Sequence, residues 1–137
     1  MAVPEDSIGR ICKSLEKYFD TRTGRIRVKS RPVLIIGCED DYDSPMNVDY
    51  ELLPISTMKN QDPNSIYDLY LNDEICTCLG LKEACYIRTH KTTWNHVKHM
   101  DVQRPIGDLK SEYPELFIKV LNLNSQWVSR RNLSIFP

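Results

Sequence analysis

No stretch of this chain approaches the ~20 consecutive apolar residues that a membrane-spanning helix needs, so the sequence predicts no membrane segment. Its first residues, Met1-Ala2-Val3-Pro4-Glu5-Asp6, lack a basic flank followed by an apolar core, which argues against a secretory signal. Repeats, low-complexity tracts and linkers are missing as well. At 137 residues the chain is long enough for one core and too short for two ordinary domains. The reading is a single domain over 1–137. An excess of either charge is also lacking. The net charge is −1, so no whole-molecule field draws the protein to a polyanion, and any such site has to come from local charge. The five cysteines, Cys12, Cys38, Cys76, Cys78 and Cys85, are an odd number at irregular spacings. Without an export signal they predict reduced thiols in a cytoplasmic protein. Cys76-Thr77-Cys78 with Cys85, His96 and His99 supply metal-capable side chains but not the paired Cys-x₂₋₄-Cys spacing of a structural zinc site. No metal or cofactor is expected. Cys76 and Cys78 read as residues packing the apolar faces of a short helix, and nothing marks a cysteine as an activated nucleophile.

What is present is the ordinary mix of a globular protein, with 41% hydrophobic and 27% charged residues. The charges are segregated. Arg22, Arg25, Arg27, Lys29 and Arg31 are followed directly by Glu39, Asp40, Asp41, Asp43 and Asp49. The basic stretch reads either as a solvated loop or, if extended, as one basic face, because Arg25, Arg27, Lys29 and Arg31 recur with period two.

Ile8 to Leu15 reads as a first strand. Arg31-Pro32-Val33-Leu34-Ile35-Ile36-Gly37 is the clearest strand, its unalternating apolar run predicting burial on both faces. Tyr50 to Thr57 reads as a strand interrupted by Pro54, and residues 59–65 as polar loop. Tyr67 to Leu71 is a short strand. Asn72 caps a helical turn that runs to Leu79 and closes at Gly80. Tyr86 to Lys91 is again strand-like, with Tyr86, Arg88 and His90 on one face. Pro114 opens a terminal helix whose stripe of Leu116, Phe117, Val120, Leu121, Trp127 and Val128 has helical spacing. Short strands followed by one amphipathic helix predict a mostly β fold, a small barrel of roughly five or six strands with a C-terminal helix. An α+β arrangement is the alternative.

The succession Arg31-Pro32-Val33-Leu34-Ile35-Ile36, Leu53-Pro54-Ile55-Ser56-Thr57, Leu79-Gly80-Leu81-Lys82, Tyr86-Ile87-Arg88-Thr89-His90-Lys91 and Ile106-Gly107-Asp108-Leu109 resembles the PemK/MazF toxin family over roughly residues 8–121. The resemblance implies an SH3-like barrel, a homodimer, a cognate antitoxin protein as partner, and metal-independent cleavage of single-stranded RNA with sequence selectivity. In that chemistry a 2′-hydroxyl attacks the adjacent phosphate, leaving a 2′,3′-cyclic phosphate and a 5′-hydroxyl. It needs a base, an acid and donors for the developing charge. By resemblance, Arg88 stands at the catalytic arginine, Ser56 and Thr57 at the paired hydroxyls, Arg25 at an assisting loop position, and Arg31 at the mouth of the site. Arg27, Lys29 and Lys91 join Arg31 as RNA-binding residues. His90 occupies a position where better-known relatives carry an acidic residue, and imidazole is itself a competent base near neutral pH. Two non-enzymatic readings stand beside this one. The first is a binding module on the same barrel, gyrase-trapping or regulatory. The second is a protein whose acidic segment 39–49 holds a basic partner.

Overall fold

Two strands longer than any the sequence predicts dominate the chain. The computed structural model describes the backbone of residues 3–135 and the side chains of residues 3–130. In it β1 (Arg10–Asp20) and β2 (Arg25–Cys38) pair antiparallel along almost their whole length, from Ile11↔Leu34 to Asp20↔Arg25. The expected first strand is displaced: residues 4–7 form a 3₁₀ turn, and pairing begins at Arg10. The stretch from Arg25 to Ser30 is strand rather than loop. Gly24, at φ 68°, supplies the left-handed residue at the tip, and its N–H donates to the Asp20 carbonyl at 2.8 Å.

β3 (Asp49–Ser56) pairs with β2 through Val33↔Pro54, Leu34↔Leu53 and Ile35↔Leu52. Pro54 does not interrupt it. The proline falls where the other edge of β3 changes partner, from β6 (Thr93–His96) to β5 (Cys85–Arg88), so the ladder tolerates a residue without an N–H there. β4 (Asp68–Leu71) pairs with β5, and the two-residue β7 (Gly107–Asp108) with the start of β1. Among the described residues these seven strands form one sheet of order β4-β5-β3-β2-β1-β7, with β6 on β3. The sheet curls into a half-barrel. Asn95 of β6 donates to the Ser14 hydroxyl at 2.8 Å and the Leu15 carbonyl at 3.1 Å, and the Asp101 N–H donates to the Lys13 carbonyl, tying the far side back to β1.

The unalternating run 33–36 is explained by two cores, one on each face of the sheet. Cys12, Val33, Ile35, Val48, Tyr50, Leu52 and Val97 fill the concave side. Ile11, Leu34, Leu53, Ile55, Leu71, Ile87, Leu109, Phe117 and Val120 fill the other. Helix α1 (Asp73–Cys78) forms where expected, the Asn72 side chain accepting from the Ile75 N–H at 2.9 Å. Gly80 follows at φ 74°, where an added Cβ would stand 2.6 Å from the Ile106 carbonyl oxygen. Of the two cysteines assigned to this helix's apolar faces, Cys76 is buried against Cys85 and Cys78 is exposed. A short helix α2 (Leu109–Glu112), capped by Asp108, precedes α3 (Pro114–Ile135). Phe117 and Val120 of the apolar stripe enter the core. Trp127 reaches a different place, described below, and Val128 is exposed. No helix among the described residues is long and apolar enough to cross a membrane.

Candidate functional site

In an antiparallel pair, residues directly opposite share a face. Tyr70↔Tyr86 and Asp68↔Arg88 therefore stand side by side on β4 and β5, with Ser56 of β3 opposite Tyr86. The intervening residues Leu69, Ile87 and Ile55 point to the helix-covered core. Arg31 and Ser56 each lie two residues beyond the Val33↔Pro54 pair, so they fall on this same face where the concave apolar core ends. Four of the expected site residues are thus gathered by the sheet: Arg31, Ser56 and Arg88 on one surface, with Thr57 exposed just after Ser56.

Asp68 organises the site, and nothing in the sequence singled it out. Its side chain has no solvent exposure, and one oxygen accepts from Arg88 Nε at 3.1 Å. The other accepts the Asn64 N–H at 2.7 Å, while the Asn64 side-chain oxygen accepts from the Ile66 and Tyr67 N–H groups at 2.9 Å. This Asx-type turn fixes the loop that delivers Asp68. The available signal was Asn64 three residues before a strand, too common a pattern to stand out.

The strand expected over 86–91 ends at Arg88. Thr89 and His90 form a turn closed by the Lys91 N–H on the Arg88 carbonyl at 3.1 Å. His90 therefore does not share the Arg88 face by strand alternation. The turn brings it there instead, with Nδ1 3.8 Å from the same Asp68 oxygen that holds Arg88. Its side chain is only 9% exposed and packs in a three-ring cluster. The ring centroids lie 5.8 Å from Tyr67 and 5.7 Å from Trp127, which are themselves 5.3 Å apart. Asn124 of α3 anchors the same turn, donating to the Thr89 carbonyl at 2.9 Å and to the Thr92 hydroxyl at 2.8 Å. Burial pushes the His90 pKa below its ordinary value. The Asp68 carboxylate opposes that shift, and the Arg88 and Lys91 cations reinforce it. The net shift favours the neutral imidazole, and its Nδ1 is buried with no hydrogen-bond partner among the described residues.

The hydroxyl pair ends β3 in a tight turn. Ser56 Oγ accepts from the Met58 N–H at 3.2 Å, and Met58 adopts φ 58°, the one non-glycine residue at positive φ among those described. Holding an unbranched residue there costs on the order of 1 kcal/mol, a strain that persists only where packing fixes it. Here the packing is the burial of the Met58 side chain.

The basic stretch lies on the concave face of the β1–β2 ribbon, as period-two extension requires. Arg31 stands 5.7 Å over the Tyr18 ring, Lys29 is opposite Glu16, and Arg27 pairs with the buried Asp20 at 3.4 Å. Arg25 is not brought to Arg88. It lies six residues along β2 from Arg31, about 20 Å of extended strand. Lys91 is exposed beyond the His90 turn.

The metal-capable side chains are dispersed. His96 faces the Asn47 side chain at 2.8 Å, and Cys76 and Cys85 sit 3.3 Å apart in the core. No group of three or more His, Cys, Asp or Glu that could hold a metal ion occurs among the described residues. Burial pushes the Cys12 thiol up to about 12 and raises Cys38 and Cys85 as well, the opposite of nucleophile activation. No protein-family model and no curated protein matches the chain.

Proposed function

We propose that the protein is an endoribonuclease acting on single-stranded RNA, with the Arg88–Asp68–His90 cluster as its centre. The observation that carries this reading is the single Asp68 oxygen lying 3.1 Å from Arg88 Nε and 3.8 Å from His90 Nδ1. It sets the Arg88 guanidinium beside an imidazole whose pKa is lowered by burial, which favours the neutral form. With Nε bound to Asp68, the terminal nitrogens of Arg88 are the donors for a phosphate. A neutral imidazole can accept the 2′-hydroxyl proton, as internal transesterification requires. Asp68 acts through its neighbours, orienting Arg88. Ser56 and Thr57 border the same surface and offer hydroxyl donors to a phosphate or ribose. Arg31, Arg27 and Lys29 continue it as a basic track for the strand. The resemblance adds to this reading a homodimer, selectivity for a short sequence, and neutralisation by an antitoxin whose acidic segment competes for the basic track.

The test is incubation of the purified protein with end-labelled RNA in excess EDTA. Products ending in a 5′-hydroxyl and a 2′,3′-cyclic phosphate are expected. RNA that stays intact at high protein concentration would overturn the reading.

A second reading is favoured by a specific observation. The burial of His90 between Tyr67 and Trp127, and the use of Arg88 Nε to neutralise a buried carboxylate, also suit a non-catalytic module in which the cluster fastens α3 to the β4–β5 edge. Binding of RNA without cleavage is its signature.

A further inference from the structure

Beside the Arg88–Asp68 pair stands a feature that the cleavage chemistry does not use. Tyr70 and Tyr86 face each other across β4 and β5, their ring centroids 5.3 Å apart and their planes inclined by 54°. Tyr70 is 53% exposed. Side chains of large apolar area are normally turned inward, and the neighbours Leu69 and Leu71 obey that rule by packing on the helix-covered core. Alternation alone would place a polar residue at position 70. β4 is the terminal strand of the sheet order, so nothing in the sheet covers the outer flank of Tyr70, and the ring is open to a flat ligand.

The surroundings fix what kind of ligand suits it. Arg88 follows Tyr86 by two residues on the same face, about 7 Å along the strand, a span that one nucleotide bridges between its base and its phosphate. Ser56 is opposite Tyr86, and Arg31 lies in line with Ser56 on the next strand. A row of tyrosine, tyrosine, serine and arginine, with a second arginine one step along, sets two ring faces beside phosphate donors. That is the composition single-stranded nucleic acids demand, since every base has a π-face and every linkage a charge. We infer that Tyr70 and Tyr86 form a stacking platform for one unpaired base, seating the nucleotide whose phosphate lies against Arg88. This inference rests on the RNA reading and deepens it. The platform is the positioning element that sets the register of the strand over Arg88, and Tyr70 is its exposed half.

The test uses fluorescence anisotropy with short, 5′-labelled, fully 2′-O-methylated RNA, which cannot undergo internal transesterification. A parallel series carries a single abasic position moved along the oligonucleotide. Base–aromatic stacking is worth ~1–3 kcal/mol per base, so Tyr70→Ala should weaken binding by about 5- to 150-fold, while Tyr70→Phe stays near the parent. One abasic position should weaken the parent and leave Tyr70→Ala unaffected, because the two changes delete the same interaction. Tyr70 is exposed on an edge strand, so the variant is expected to fold. A melting temperature close to the parent's, measured alongside, ties any drop in affinity to the ring. Binding by the parent that is indifferent to Tyr70→Ala and to every abasic position would overturn the platform while leaving the RNA reading intact. Failure of the parent to bind any of the oligonucleotides at low salt would remove both.

Discussion

The two ends of the curled sheet carry arginines on the same face and hold them in opposite ways. On the ribbon formed by the outer halves of β1 and β2, Arg27 remains 55% exposed even with Asp20 beside it. From Arg25 to Ser30 every residue is exposed. The ribbon's other face shows Leu15, Phe19, Ile26 and Val28 to solvent, so cross-strand pairing is its main support. At the β4–β5 end, Arg88 is 17% exposed against a carboxylate with no exposure, and α3 closes the flank through Trp127 and Asn124. A mobile cation in water gives attraction without direction, worth ~0–1 kcal/mol per pair. A desolvated and oriented one is costly to disturb and fixes geometry. The ribbon therefore suits recruitment of a polyanion, and the β4–β5 end suits alignment of a single phosphate.

The sharpest way to break this comparison is at the core that supports the aligned end. Leu53→Ala removes a fully buried side chain and should cost about 2–5 kcal/mol of stability, read from urea unfolding. A loss below about 1 kcal/mol, less than a cavity of that size demands, would mean that the two cores do not carry the sheet.

Next is Arg88→Ala. Under the proposed mechanism it should lower cleavage by ~10²–10³-fold through removal of one transition-state donor. It should also destabilise the fold by roughly 3–5 kcal/mol by stranding the buried Asp68 carboxylate. Adding Asp68→Asn should restore much of the stability and none of the activity. A melting temperature unmoved by Arg88→Ala would show the pair to be loose, like those of the ribbon.

His90 gives the pH dependence. Its folded pKa is depressed below ~6.5, the value expected in the unfolded chain. The unfolded state then binds more protons below that value, so the contribution to stability is complete above it and is lost as pH falls towards the folded pKa. Thermal melting between pH 7.5 and 5 should show this slope, and His90→Gln should flatten it. If His90 is the base, the parent's cleavage rate should also fall with acid, while His90→Gln stays low throughout. Equal cleavage by the two proteins across that range would assign His90 to structure alone.

On the ribbon, replacing Arg27 and Lys29 with glutamine should leave cleavage of saturating RNA nearly unchanged. It should reduce the salt dependence of binding by ~0.7 in log–log slope for each phosphate that is no longer neutralised. An unaltered slope would turn the ribbon away from the RNA. The smallest effect is Phe19→Ser at the ribbon tip. With the ring 59% exposed, the change should fall within about ±0.5 kcal/mol, measured in the same urea series as Leu53→Ala.

Local patterns in the sequence settled a good deal. The cap at Asn72 and the stop at Gly80 specify α1, because a side-chain oxygen and a residue free to take positive φ act over three or four positions. Pro114 fixes the start of α3, the run 33–36 reports burial on both faces, and period two predicts the shared face of Arg25, Arg27, Lys29 and Arg31. The general class, mostly β with a terminal helix, follows from these. Other features depend on residues far apart in the chain. β6, Thr-Trp-Asn-His, lacks an apolar run and β7 is only two residues long, and they exist because β3 and β1 offer free edges. Pro54 reads as a strand breaker until the change of partner along β3 removes the need for its N–H. The extension of β2 through Arg25–Ser30 is decided by its partner, β1. Asp68 became a central residue only when β4 paired with β5 in a register that set it opposite Arg88. The turn at 89–90, held by Asn124, then brought His90 to it from outside the strand. Trp127 had the spacing of a core residue and instead closes the ring cluster around His90. Capping, chain stiffness and alternation are short-range forces that a sequence displays directly. Which carboxylate meets which guanidinium is a long-range pairing, and the folded sheet alone decides it.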